Sequence, residues 1–280
     1  MNQYCDAHQH FWRYSPEQYP WIPPGSALHR DWLPEDLEAL QGPLGFKGAI
    51  AVQARQSLEE SRWLLELAHS HTSVLGVVGW VDLRSSEVTA QLREFARFPK
   101  FVGVRHVVQD EVDDRFLLGA DFVRGLSRLQ EFGLRYDLLI FPRQLAAAIE
   151  LVRRMPGQPF VLDHCGKPAI ARGELEPWAA EIRELAQAPN VCCKVSGLVT
   201  EADWLGWTLE EIRPYLEVVL GAFGPGRLMW GSDWPVCLHA ASYQRWLEAA
   251  REWTGGWSEE ERAAFFGGTA AAFYGIDGVR

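Results

Sequence analysis

Nothing in this sequence is apolar for long enough to cross a bilayer as a helix. The longest apolar run, Val74 to Val81, is broken by Gly76 and Gly79, whereas a spanning helix needs about 20 residues. Basic residues are also scarce: 27 Lys and Arg stand against 37 Asp and Glu, a formal net charge of -10. Nucleic-acid binding depends on Lys and Arg displacing counterions from phosphates, and this balance argues against it. Cysteine is limited to five residues, an odd number without Cys-x-x-Cys spacing and with Cys192 beside Cys193. Neither a disulfide framework nor a zinc knuckle is expected from that set. The opening run Met1 to Asp6 has no basic segment leading into an apolar one, the pattern a secretory signal requires. A cytoplasmic protein with a small-molecule ligand is expected, with neither nucleic acid nor membrane as partner. No pattern fixes the oligomeric state, and a homo-oligomer stays open.

The chain does have ample core material. It is 48% hydrophobic and 12% aromatic with 23% charged residues, the makeup of an ordered globular protein. Its 280 residues suit one α/β barrel, so a single domain over 1–280 is expected. Short β-branched or apolar runs bounded by turns occur eight times, at 4–10, 48–54, 74–82, 101–108, 134–141, 158–164, 190–197 and 227–233. Helical patterns lie between them, at 57–71, 121–132, 142–154, 174–186, 208–222 and 242–253. Ser57 to Glu60, Thr208 to Glu211 and Ser258 to Glu261 each fit a capping box, in which a hydroxyl and a carboxylate satisfy free N–H groups at a helix start. Strands joined by helix-length crossovers run parallel. Eight regular units with no Gly-x-Gly-x-x-Gly after the first strand favour closure, so the expected fold is a (β/α)8 TIM barrel.

Several polar residues interrupt the apolar strands near their C-terminal ends, where a barrel builds its active site. In Asp6-Ala-His8-Gln-His10 alternate residues share a face, which sends both imidazoles inward from the first strand. His164 ends the sixth run and Asp233 the eighth. Arg105 and His106 come from the fourth, and as neighbours they point to opposite sides. Arg105 is expected inside and His106 between sheet and helices, unless a bulge brings it to the site. Lys194 lies within the apolar seventh run. Its charge needs a carboxylate partner, Asp233 or another, or a substrate oxygen. After the first strand, residues 11–34 are rich in Pro, Trp and Tyr and cannot form a plain helix. At the barrel mouth Trp12, Tyr14, Tyr19 and Trp21 either wall a pocket or pack the loop down.

With these residues in view the chain resembles the amidohydrolase superfamily, specifically its group of TIM-barrel lactone hydrolases that includes sugar lactonases of the L-fuconolactonase and L-rhamnonolactonase type. The likeness spans nearly the whole length and rests on Asp6 to Trp12, Tyr19 to Ile22, Val52 to Arg55, Gly79 to Asp82, Gly103 to His106, Asp163 to Pro168, Lys194 to Gly197 and Gly231 to Pro235. The resemblance implies an active site formed by His8, His10, His164 and Asp233. The chain departs from metal-rich members of the superfamily, which add a bridging Lys or Glu on strand four and a second later His. Strand four here carries Arg105 and His106 and strand five Tyr136 and Asp137, so a binuclear centre is not expected. Three nitrogens and a carboxylate suit one Zn²⁺ or Mn²⁺ with an open position for water; metal-free action is the alternative the group leaves open.

For a lactonase, the expected chemistry is attack by water. Asp233 serves as general base, and the histidines either bind the ion or donate directly to the oxyanion. Arg105, Lys194, Trp12, Tyr14, Trp21 and His106 are the candidate substrate contacts, and His164 joins Asp233 as a candidate catalytic residue. No Gly-x-Ser-x-Gly elbow offers a nucleophile instead. Two rivals remain at this level: a metal-dependent decarboxylase of an aromatic or unsaturated acid, and a non-catalytic sugar-binding barrel.

Overall fold

The structure, a computed structural model, describes residues 4–277. Eight strands form one sheet: β1 (Tyr4–Gln9), β2 (Phe46–Val52), β3 (Val74–Gly79), β4 (Phe101–Val107), β5 (Arg135–Leu139), β6 (Phe160–Leu162), β7 (Val191–Val195) and β8 (Leu228–Trp230). Each pairs in parallel with the next in chain order. A bridge between Gln9 and Trp234 links the two ends, with hydrogen bonds from His10 N to Trp234 O (2.7 Å) and from Asp233 N to His8 O (2.8 Å). The sheet thus closes into the expected (β/α)8 barrel, and it does so at the rim that carries His8, His10 and Asp233.

The strands form because their apolar runs are buried on both faces. Cys5, Ala7, Ile50, Val52, Val78, Val102, Val161 and Met229 fill the barrel, and Ala270, Ala271 and Tyr274 of the helix Thr269–Tyr274 pack against them. A second, larger cluster lies between sheet and helices. The helices start where hydroxyl caps predict. Thr208 with Glu211 and Ser258 with Glu261 make the reciprocal capping box. Ser57 also caps its helix through Glu59 N and Glu60 N, but the box expected there is incomplete. The Glu60 carboxylate instead accepts from the N–H groups of Ala54 (3.1 Å) and Arg55 (2.9 Å) and from the Tyr19 hydroxyl (3.1 Å).

The strands end before their sequence runs do, β6 and β8 among them. β6 stops at Leu162 and β8 at Trp230, so His164 and Asp233 lie in the turns just beyond. Both turns use left-handed backbone, with φ of 54° at His164 and 56° at Asp233, a conformation that costs non-glycine residues energy and is retained mostly at functional sites. Residues 11–33 contain no helix, and the loop is pinned at its base by paired hydrogen bonds between Trp12 and Trp32 (3.0 and 2.9 Å). All five cysteines are free. Among the described residues no helix is long and apolar enough to cross a membrane.

Candidate active site

β1 delivers two imidazoles to the barrel interior, but not by simple alternation. Its pairing with β2 slips between Asp6 and Gln9, which accommodates an extra residue and turns the strand. Asp6 faces the helical layer, where it accepts from His8 N (3.1 Å), Ser232 N (2.9 Å) and Gln41 Nε2 (3.4 Å). His8 and His10 both point inward. The alternation expected from the sequence therefore holds for the two histidines and fails at Asp6, for a reason that lies in strand pairing.

Glycines make room for these rings. A Cβ on Gly231 would lie 2.8 Å from His8 Cβ, and one on Gly197, itself at φ +62°, would lie 2.5 Å from His164 Nδ1. With that space the polar atoms converge. His8 Nε2 is 3.2 Å from His10 Nε2 and 3.7 Å from Asp233 Oδ1; Asp233 Oδ1 is 3.3 Å from His10 Nε2 and 4.0 Å from His164 Nε2. Four ligands about 2.0–2.2 Å from one zinc in a tetrahedron stand roughly 3.3–3.5 Å from each other; His8, His10 and Asp233 form one group close enough to hold an ion, while His164 lies further out and groups with His8 and Asp163. The outer ring nitrogens of His10 and His164 are hydrogen-bonded, as metal-binding histidines require. His10 Nδ1 meets Val52 O at 2.8 Å and His164 Nδ1 meets Ser196 Oγ at 2.9 Å, while His8 Nδ1 lies 3.4 Å from Asp163 Oδ1. Arg105 Nη1, 3.2 Å from His8 Nε2, competes for that lone pair.

Charge and burial set the protonation states. Burial pushes His8 well below the ordinary imidazole value and His164 down to about 4. Burial alone would raise Asp233, but the surrounding His164, His10 and His8 more than offset it and hold the carboxyl below the usual carboxylate range. Neutral imidazoles at His8 and His164 beside an ionised Asp233 carboxylate suit a centre that receives positive charge.

Beneath this centre lies a buried ionic layer. Lys194 Nζ donates to Asp137 Oδ2 (2.5 Å), lies 3.0 Å from Asp163 Oδ1 and reaches within 3.3 Å of His8 Nδ1. Arg105 donates to Asp163 Oδ2 (3.1 Å), to Gln53 Oε1 (2.9 Å) and to Gln53 O. Tyr274 donates to Asp137 from the barrel floor (2.9 Å to Oδ2). Asp137, Asp163 and Asp233 face two cations, Arg105 and Lys194, all buried. The excess of carboxylate leaves room for further positive charge.

The sequence candidates separate clearly on this geometry. His8, His10, His164, Asp233 and Arg105 come together, and His10, His164, Asp233 and Arg105 line a cleft of 480 Å³ that opens above the centre, in the size range of small-ligand sites. Trp21 is on its wall, 42% exposed, with Nε1 donating to Ala54 O (3.1 Å). Lys194 is inside the barrel but wholly buried, and its partners are Asp137 and Asp163 rather than Asp233 or a substrate. His106 faces outward, 2.7 Å from Glu111 Oε1 and stacked on Phe116, because its neighbour Arg105 takes the inward position. Trp12 is buried in the loop with Nε1 on Arg30 O (3.0 Å), Tyr14 stacks on His29, and Tyr19 is tied to Glu60; these three pack the loop down instead of walling the cleft. Sequence reasoning missed Asp137, Asp163, Gln53, Ser196 and Glu60. Asp137 and Asp163 carried the same signal as Lys194, a charge at an apolar strand, whereas the other three are ordinary polar residues whose importance appears only in three dimensions.

The family model described as "Amidohydrolase" matches residues 5–276. An L-fucono-1,5-lactonase of Burkholderia multivorans is 46% identical over 97% of this chain and 95% of its own length. An L-fucono-1,5-lactonase of Burkholderia ambifaria is 39% identical over the same shares. A crystal structure of an amidohydrolase from Burkholderia multivorans with bound zinc superposes with a TM-score of 0.94 at 45% identity, covering 98% of this chain and 99% of that one.

Proposed function

The chain belongs to the amidohydrolase family, and from that premise we propose that it opens the ring of a small lactone, a sugar-derived aldonolactone of the L-fucono-1,5-lactone kind. The observation that carries the reading is the convergence of Asp233 Oδ1 on the inner nitrogens of three histidines at the base of a cleft. Relatives matching nearly the whole chain and named L-fucono-1,5-lactonase support a cyclic ester as substrate over the acid of a decarboxylase. A sugar-binding barrel without catalysis has less in its favour, since Trp21 alone of the four loop aromatics reaches the cleft.

In this reading His8, His10, His164 and Asp233 would hold one divalent ion, zinc or manganese, which would supply Lewis-acid polarisation of the ester carbonyl and a more acidic water. Asp233 accepts a proton from the attacking water as the new C–O bond forms. It returns that proton to the ring oxygen as the ring C–O bond breaks, leaving a hydroxy acid. Arg105 adjoins the carbonyl with positive charge, and its tie to Asp163 fixes its position. The product ionises at neutral pH, so each turnover releases acid. A cytoplasmic setting, carbohydrate catabolism and a single domain over 1–280 belong to the same proposal.

A pH-indicator screen of aldonolactones, run with and without a chelator, tests the reading. Acid release on at least one six-carbon aldonolactone, lost on chelation and restored by zinc or manganese, is expected. Carbon dioxide release from an aromatic acid, with no lactone opened, would replace the reading with decarboxylation.

A further inference from the structure

The exit of β2 carries two amides whose orientation is dictated by their partners. Gln53 is fully buried yet lines the cleft. Arg105 Nη2 donates to its Oε1 at 2.9 Å, and a guanidinium has no acceptor to offer. The oxygen end of the Gln53 amide must therefore face Arg105, which leaves Nε2 at the other end. That Nε2 has no hydrogen-bond partner, an unfavourable state for a buried donor unless a ligand meets it. Three residues on, Gln56 also lines the cleft, and its Oε1 accepts from Val107 N at 2.9 Å. Its Nε2 is likewise the free end. Arg55 between them, a third lining residue, has an unpartnered Nε. Gln53, Arg55 and Gln56 thus line the cleft with N–H donors, and the amide oxygens of the two glutamines are already taken.

Gln53 is the donor nearest the reaction centre. Its amide is held by Arg105, whose Nη1 is 3.2 Å from His8 Nε2, and the residue before it, Val52, holds His10 Nδ1 at 2.8 Å. We propose that Gln53 determines specificity by donating from Nε2 to an oxygen on the substrate carbon next to the scissile carbonyl. The site then selects lactones hydroxylated at that carbon over their 2-deoxy counterparts. This rests on the lactonase reading and names which part of the substrate the site reads.

The test is kcat/KM for an aldonolactone and its 2-deoxy analogue, measured on the wild type and on Gln53→Leu. Leucine removes the donor without presenting an acceptor to the same hydroxyl, and Arg105 keeps Asp163 and the main-chain oxygen of residue 53 as partners. The wild type is expected to favour the hydroxylated lactone by roughly ten- to a hundredfold, the usual consequence of leaving a buried donor unpaired, and Gln53→Leu to lose that preference. A wild type that treats both lactones alike, or a variant that keeps the full preference, overturns the proposal. A wild type that opens neither lactone defeats the lactonase reading instead. Calorimetric binding of the 2-hydroxy and 2-deoxy open-chain acids to the wild type then still decides the role of Gln53, with equal affinities overturning it. The same binding pair decides it if Gln53→Leu fails to fold.

Discussion

Gly197→Ala should disable the site from outside it. Two effects combine. Gly197 has φ +62°, and an alanine held in left-handed backbone costs about 1–2 kcal/mol. The added Cβ would also sit 2.5 Å from His164 Nδ1 against 3.4 Å for ordinary contact, so His164 has to retreat by about 0.9 Å. Overpacking of this kind costs about 1–3 kcal/mol more. Together they amount to about 2–5 kcal/mol, a fall in thermal midpoint of roughly 4–20 °C for a chain of this size. The retreat breaks the His164 contact with Ser196 and moves Nε2 away from Asp233. Misplacement of a catalytic group by about 1 Å costs roughly a hundredfold in rate. Gly133→Ala is the control: Gly133 has φ +66°, but an added Cβ there would meet nothing within 4 Å, so it carries the backbone cost alone. Differential scanning fluorimetry and acid release on the two variants separate the effects. Activity of Gly197→Ala within threefold of Gly133→Ala would refute the steric argument.

Other consequences follow from the buried charges. Lys194→Met leaves Asp137 and Asp163 without their shared cation, a loss of about 3–5 kcal/mol; a fall in midpoint of roughly 6–20 °C is expected, and a fall under about 2 °C would mean the network contributes little. Burial pushes the Glu60 carboxyl up to about 7, above its ordinary 4.5. The folded state therefore binds the extra proton between those values, so this contribution to stability is complete below pH 4.5 and is lost as pH rises through 7. Glu60→Gln, which mimics the protonated form, should show a flatter midpoint profile than wild type between pH 5 and 8; an unchanged slope contradicts the assignment. Removing the proposed divalent ion should lower the midpoint as well as the activity, since a ligand bound only to the folded state stabilises it; a midpoint indifferent to chelation and to zinc would argue for a metal-free centre.

The barrel was legible because its strands are short apolar runs separated by helix-length segments, and the pattern survives small errors in each boundary. The site histidines and Asp233 stood out as polar residues where apolar strands end. That Arg105 and His106 face opposite sides followed from alternation, and it held because β4 and β5 stay in register across them; which of the two is inside needed the three-dimensional pairing. Asp6 escaped the same argument because the slip in β1 is a property of its pairing with β2, which no single strand reveals. Trp12 and Tyr14 had the composition of a pocket wall, but aromatic side chains pack a loop as readily as they line a ligand, and the loop needed a core of its own. Glu60 fitted a capping box, yet two backbone N–H groups and the Tyr19 hydroxyl offered its carboxylate better partners. Gln53 lay within the Val52 to Arg55 block of the resemblance but gave no physical signal of its own: an amide carries no charge to betray it, and its orientation exists only because Arg105 reaches it from two strands away.

The central claim is that Asp233 is the base that moves the proton during ring opening, and Asp233→Asn tests it most directly. Asparagine tolerates the left-handed backbone that Asp233 adopts, so the variant should fold, with a midpoint close to that of the chelated wild type. On a lactone that the wild type opens, its acid release should fall by roughly a hundred- to ten-thousandfold. Near-normal turnover by the folded variant would contradict the account.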